Sequence, residues 1–527
     1  MSFTKTNSEK KNRIFYIIFI LIFSFFINQY YGYVGINPLD NFFSFNAGYD
    51  ILNGRYPFKD YWTITGPLIF FLQAIFFKVF GVSWSSYIFQ ASIVNLIISI
   101  STFYILNKFR LNIHYSFFYT ILLSIIAYPS SGTPYVDHQS AYLSVIAVYC
   151  FILAIKNKSR IYWLILPIIL GLAFLTKQAP TGYFVLIISF LSLVYFIFNF
   201  EIRKIIYAIA GSILFISLFI IIMSIGKIPL TSFFQQYILY PLSIGESRMD
   251  FIFPLEFKRI VLRFKLIYLA LAIILIVNVK GAIKNYNYLK SDEFLISVSL
   301  ISTALILILH QLMTINGMFI FFIIPILVGF SHIFYLQYFR NKKFILYFLI
   351  SLALGSTVNY WSKYVDKRDF LDLSNANIKL AINAKELDNK LDGLKWITYN
   401  YKEKPKEEIN KLKQAINIIK KDTKNKTLVT DYQFISVILS IYDYSPNAYW
   451  FKHHVYPVKG HKYFEIYRNF FINKLKENKI EIVYTIKPLW GDDDVLDSIL
   501  DNKCVKKSKI TDILDSHLLL DCKDLNN

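Results

Sequence analysis

Hydrophobic residues in this chain come in long blocks, and polar residues are gathered into short breaks between them. The first block, residues 14–31, follows Lys10, Lys11 and Arg13 and has no small-residue cleavage site after it, so it reads as an uncleaved first helix. Further blocks occupy 84–107, 114–128, 139–156, 161–176, 181–199, 204–226, 260–279, 294–312, 316–339 and 344–360. A helix needs about 20 residues to cross the hydrocarbon core, and these blocks approach or exceed that length. Residues 67–80, PLIFFLQAIFFKVF, are apolar but shorter and carry Lys78, which predicts an interfacial helix rather than a span. The pattern predicts a polytopic α-helical membrane protein with eleven spans.

The breaks carry the orientation. Lys108 and Arg110, Lys156 to Arg160, Arg203 and Lys204, Lys280 to Lys290, and Arg340 to Lys343 fall in alternate gaps. Basic loops stay on the cytoplasmic side, so the N-terminus is expected inside. Residues 32–83, 129–138, about 177–180, 227–259 and everything after Tyr360 then face outward. The expected division is a transmembrane domain over 1–360 and an extracytoplasmic α/β domain over 361–527. Within the latter, 375–399, 406–421 and 461–478 read as helices, and 426–431, 479–486 and 516–522 as strands of a partly parallel sheet. It has no glycine pattern of the kind that cradles phosphates, so no nucleotide site is assigned. Cys504 and Cys522 lie where a disulfide is chemically permitted, and two free thiols remain the alternative.

Composition adds two exclusions. The net charge of +21 suggests nucleic acid at first sight, but the Lys and Arg before residue 361 mostly flank apolar runs, so no nucleic-acid partner is expected. None of the spans, as bounded here, contains Asp or Glu, which argues against a proton-coupled pump. The outward loops hold carboxylates instead: Asp40, Asp50, Asp60, Asp137, Glu246, Asp250 and Glu256. Arg55, Lys59, Lys177 and Arg248 accompany them, and aromatics such as Tyr61 surround the first cluster. Carboxylates serve as bases and hold sugar hydroxyls, cations hold phosphate, and rings stack on sugar faces. Together at a membrane surface they suit chemistry on a lipid-linked phosphosugar. Asp50 reads as a cap or decoration of a short helix over 41–53. No metal-ligand spacing is present, and no cofactor is implied.

The order of motifs resembles a known class. After the first span come an outer loop with Asp40, then FNAGYDILNG, RYPFKDYW, a Gly-Pro-Leu and an apolar segment ending VFG; YVDHQSAY (135–142) and GLAFLTKQAP (171–180) follow. This resembles the GT-C fold glycosyltransferases that use polyprenyl-phosphate sugars, among them protein O-mannosyltransferases and lipid A aminoarabinose transferases. The resemblance covers about 14–360. It implies a GT-C-like fold and an inverting transfer of a sugar from a polyprenyl-phosphate donor to a hydroxyl of a lipid-linked glycan, lipid A core or protein at the outer face of a bacterial inner membrane. It makes Asp40 the catalytic base, puts Arg55, Lys59, Lys177 and Arg248 forward for the donor phosphate, and puts Asp60, Asp137, His138 and Tyr61 forward for substrate. Two departures stand out. Asp40-Asn41 replaces the common Asp-Glu, and Thr65-Gly66-Pro67 replaces Glu-Lys-Pro of the aminoarabinose transferases. A lipid-linked oligosaccharide flippase and an O-antigen ligase or polymerase are the alternatives.

Overall fold

A computed structural model describes residues 7–128, 131–157, 159–249, 256–314, 319–339, 341–440, 444–489, 495–500 and 504–520. Asp250, Cys522 and most of the turn 314–317 lie outside these described residues. The first helices are α1 (Asn7–Gly32), α2 (Pro38–Leu52), α3 (Pro67–Phe80), α4 (Trp84–Lys108), α5 (Ile113–Ala127), α6 (Val136–Lys156), α7 (Arg160–Phe174), α8 (Gln178–Phe198) and α9 (Ile202–Gly226). After them come α10 (Leu230–Phe233), α11 (Tyr240–Met249), α12 (Arg263–Lys284), α13 (Asp292–Thr314), α14 (Ile323–Tyr338) and α15 (Lys343–Trp361). The last part contains α16 (Pro405–Lys421), α17 (Phe434–Leu439), α18 (Phe464–Glu477) and α19 (Val495–Ile499), with strands β1 (Ile382–Asn383), β2 (Lys395–Trp396), β3 (Lys426–Thr430), β4 (Ile482–Ile486), β5 (Val505–Lys509) and β6 (Leu514–Leu519).

Among the described residues, nine helices are long and apolar enough to cross a membrane. Two of the eleven expected spans, α5 and α7, are 15 residues each and fall below that length, as does α3. Helices solve the backbone problem of a bilayer, because every N–H and C=O is satisfied within the segment. The side chains agree: Ile206, Ile209, Ile213 and Ile216 of α9 are all more than half exposed, a face that suits lipid and not water. The protein is a multi-pass membrane protein with a small C-terminal sheet region.

The chain divides into two compact units, and the division is not at residue 360. One unit is Met1–Gly32, Ala91–Leu218 and Arg248–Phe370; the other is Tyr33–Gln90, Phe219–Ser247 and Leu371–Asn527. The first loop therefore shares its unit with the C-terminal sheet.

Unit one is a helix bundle around α6, of which nearly every residue is buried. Its crossings use missing side chains. A Cβ on Gly211 would lie 2.1 Å from the Leu164 carbonyl oxygen, so only glycine lets α9 lie this close to α7. Polar side chains inside find partners across helices: Asn95 Nδ2 donates to Ser124 O at 3.1 Å, and Thr102 bonds Tyr149 at 2.9 Å.

Unit two has a four-stranded sheet in the order β3-β4-β6-β5, with β3 and β4 parallel and the other pairs antiparallel. The parallel strands β3, at one edge, and β4, beside it, are almost wholly buried, and α18 lies in the crossover between them. Helix α16 starts with Pro405 at its first turn and buries Ile409, Leu412, Ile416 and Ile419 on one stripe. That stripe joins one core with Phe42 and Phe45 of α2 and with Trp396 and Phe434. Phe42 lies 4.5 Å from Phe434 between ring centres. A β-bridge from Trp62 to Asn447 and the Gly35 N–H to Lys395 O bond at 3.0 Å tie the loop down further. The helix expected over 375–399 is absent. Asn377, Asn383 and Asp388 each accept the N–H two residues on, which makes three short 3₁₀ turns, and Gly393 sits at φ 86°. These local bonds compete with a helix and win.

Candidate active site

Helix α2 places Asp40. Asn37 is extended and Pro38 takes the first helical position, where its missing N–H is harmless. The Asn37 N–H donates to Asn41 Oδ1 at 2.7 Å, and the Tyr87 hydroxyl donates to Asn41 O at 2.6 Å. Asn41 is 2% exposed, so it works as a buried cap of the helix start. That explains why an amide, and not a second carboxylate, follows Asp40. Asp40 itself is partly exposed in the first turn, where the helix dipole favours negative charge. Asn37 Nδ2 approaches its Oδ2 at 3.4 Å. Burial first, and then the charges of Asp431, Asp372 and Asp40, push the nearby Tyr399 phenol up to about 12.

Ten residues on, Asp50 behaves differently. It is 6% exposed. Arg55 Nη1 donates to its Oδ1 at 3.1 Å and Asn46 Nδ2 to its Oδ2 at 3.2 Å. Arg55 Nη2 goes on to Ser445 O at 3.1 Å, and its guanidinium lies 5.9 Å from the Tyr61 ring and 5.6 Å from the Tyr444 ring. Two sequence expectations change here. Asp50 is no surface decoration, and Arg55 is a buried tie between the first loop and residue 445 rather than an open cation for phosphate. Tyr61 is 1% exposed beside Arg55, so its ring packs the loop and offers no face to a sugar. The following turn is tighter: the Tyr56 N–H donates to Asp60 Oδ2 at 2.8 Å, and Phe58 takes φ 68°. Lys59 stays about one-third exposed, 3.9 Å from Asp60 and 5.7 Å from the Tyr56 ring. Gln236 then clamps the segment around this turn, accepting from Thr63 N at 3.1 Å and donating to Phe58 O at 2.9 Å.

Unit one holds the other expected residues. Asp137 lies in the first turn of α6 and is 2% exposed; the sequence put it in the preceding loop. Lys177, the residue capping the start of α8, donates from Nζ to Asp137 Oδ1 at 2.6 Å. His310, one turn before the end of α13, contacts the same oxygen from Nε2 at 2.8 Å. An ionised carboxylate only accepts, so the proton of this contact belongs to His310 Nε2. Arg248, in the last turn of α11, is close enough to act on His310 through its charge. His138, next to Asp137, packs among aromatic rings: it stacks on Tyr128 at 4.9 Å and lies edge-on to Tyr135 at 5.5 Å. Reading the sequence for carboxylates alone missed His310. An ionisable residue inside an apolar helix, here LILHQL, is itself a functional signal. Among the described residues, no three His, Cys, Asp or Glu side chains gather as metal ligands.

Residues 65–225 match the family model described as dolichyl-phosphate-mannose-protein mannosyltransferase. No curated protein matches the chain. The match spans α3, the Asp137 segment and the Lys177 segment. The likeness to GT-C glycosyltransferases drawn from the sequence therefore stands over this part of the chain.

Proposed function

We propose that this chain moves a sugar from a polyprenyl-phosphate donor to a hydroxyl on a lipid-linked glycan, a lipid A core or a protein, at the outer face of a bacterial inner membrane. Asp40 accepts the proton of the incoming hydroxyl while the bond from the sugar carbon to the phosphate oxygen breaks, in one inverting displacement. The phosphate leaves on its lipid, and Lys59, Lys177 and Arg248 are the candidate cations for its negative charge. Asp60 lies 3.9 Å from Lys59, Asp137 pairs with Lys177, and His310 holds Asp137. Arg55 and Tyr61 have structural work in this reading and no part in binding.

The observation that supports it most is the Lys177 to Asp137 contact at 2.6 Å. Two residues singled out by separate motifs, 40 positions apart, meet as an ion pair. The pair leaves Lys177 about a quarter exposed, so it has room for a second anion. Sugar transfer from a synthetic polyprenyl-phosphate donor, measured in detergent at matched protein levels, tests the assignment of the base. General-base help is worth on the order of 10²–10⁴-fold, so Asp40→Asn should fold normally and lose at least about a hundredfold in turnover. Near-normal turnover would remove Asp40 from the chemistry.

A further inference from the structure

Arg368 follows the last helix of unit one, just after the π-helical residues Ser362–Asp366. It is 3% exposed. Its Nε and Nη1 are both buried, and neither has a hydrogen-bond acceptor among the described residues. The neighbouring Asp366 accepts from Ser362 Oγ at 2.9 Å, and its charge lies within electrostatic reach of Arg368. Arg368 also takes φ 51°, the left-handed region that glycine enters freely and a bulky side chain does not. The chain thus keeps an arginine where the backbone alone favours glycine, and then buries its charge with two donors unused.

A guanidinium does not escape by losing its proton. Buried donors are as a rule satisfied, and buried charges are paired. An arginine with two buried donors that find no acceptor among the described residues is built for an anion from outside. The surroundings fit one. Tyr30 and Tyr31 at the end of α1 lie within electrostatic reach of it. Two residues on, Phe370 packs edge-on to Tyr135 at 5.2 Å and to His138 at 6.4 Å. Those rings flank Asp137, so Arg368 belongs to the same end of the unit-one bundle as the Asp137–Lys177 pair.

We propose that Arg368 is the cationic centre of a phosphate-binding site at this end of the bundle. Its planar fork offers two parallel N–H bonds, the geometry that matches phosphate oxygens. A phosphate monoester on an isoprenoid and the phosphodiester of a glycerophospholipid present the same oxygens. The site stands on unit one alone and holds whether or not Asp40 is the base.

The test follows the thermal stability of the full chain in detergent. The probes are inorganic phosphate, farnesyl monophosphate and short-chain phosphatidylglycerol. The wild type should be stabilised by at least one of them. In Arg368→Gln the apparent affinity for that probe should fall roughly tenfold or more, the scale of a charged hydrogen bond. Arg368→Lys, which keeps the charge and loses the fork, should fall between. Stabilisation by farnesyl monophosphate alone would identify a monoester as the ligand, and equal stabilisation by phosphatidylglycerol would identify a lipid headgroup. Three results would overturn the proposal: no probe stabilises the wild type, the Gln variant responds as the wild type does, or neither variant folds. The last would make Arg368 a structural post.

Discussion

Two buried aspartates, one in each unit, are held by cations in opposite ways. Asp50 in unit two pairs with Arg55, and the far side of that guanidinium is taken by Ser445 O. Both side chains are about one-tenth exposed or less. The pair is closed on itself and on a segment 390 residues away. Asp137 in unit one is as deeply buried, but its lysine is 23% exposed. One partner of that pair reaches the surface while His310 fixes the carboxylate from behind. Closure decides what an ion pair is for. A guanidinium bonded on both nitrogens within the fold holds the fold, and an ammonium with one side open can meet a ligand.

Removing Arg55 tests the closed pair hardest. Breaking a buried ion pair by deleting one partner typically costs about 3–5 kcal/mol. Arg55→Ala is therefore expected to lower the melting temperature of the protein sharply, and Asp50→Asn to do so in the same direction. An assay of stability and not of transfer is the relevant readout. If either variant melted like wild type and lost only activity, the pair would be functional and the contrast with Asp137 would collapse.

Much of this was legible in the chain, and what was not has a common cause. The span pattern was readable because lipid demands uninterrupted apolar runs, and α16, β3 and β4 were readable because their period or burial is local. Residues 375–399 misled because Asn377, Asn383 and Asp388 look like tolerable helix residues until their side chains are seen bonding their own backbone. Strand β5, VKKSK, was invisible because it is an edge with lysines facing out. The site residues failed differently. Asp40 is a candidate because the motif order singles out its loop. Arg55 could not be sorted from Lys59, because the feature that separates them, Ser445 O, lies in another part of the sequence. His310 reaches its partner across 173 residues.

A third buried carboxylate sharpens the comparison, because among the described residues it is held by neutral donors and by no cation. Glu408 in α16 accepts from Trp396 Nε1 at 2.8 Å, from Thr398 Oγ1 at 2.9 and 3.0 Å, and from the Tyr432 hydroxyl at 2.7 Å. Burial pushes its carboxyl up to about 7 against these three donors. The sign follows from linkage. Between the unfolded value of 4.5 and about 7, the folded state keeps a proton that the unfolded state gives up. Raising the pH then favours unfolding, so stability is greatest below the unfolded value and falls as pH rises to about 7. At about 1.4 kcal/mol per unit, the fall across this window is on the order of 3 kcal/mol. Chemical unfolding at a series of pH values measures it. Glu408→Gln should flatten the profile, and a profile equally steep in that variant would assign the dependence to another group.

In the open pair, His310 is the group to remove. His310→Leu leaves Asp137 with Lys177 alone in a buried position. Losing a hydrogen bond to a charged group costs about 1.5–3 kcal/mol, so the loss of stability should be smaller than for Arg55→Ala. His310→Gln, which can still donate, should recover part of it. If Leu and Gln behaved alike, the contact with Asp137 would carry no weight, and His310 would be a packing residue of α13.

The smallest effect on stability belongs to Lys59, and it separates an open cation from a merely exposed one. Lys59 lies 3.9 Å from Asp60 with about a third of its side chain in solvent. Exposed pairs of this kind contribute about 0–1 kcal/mol, so Lys59→Gln should leave the melting temperature nearly unchanged. If Lys59 meets the donor phosphate, the same substitution removes a charged contact made already in the ground state, which raises donor KM and spares kcat. The expected rise is roughly tenfold, the low end for a charged hydrogen bond. Lys59 suits this measurement better than Lys177, whose loss also strips Asp137 of its cation and mixes binding with stability. A donor KM unchanged in Lys59→Gln would leave this lysine as a surface residue resting on Asp60 and the Tyr56 ring, and would put the phosphate on the cations of unit one.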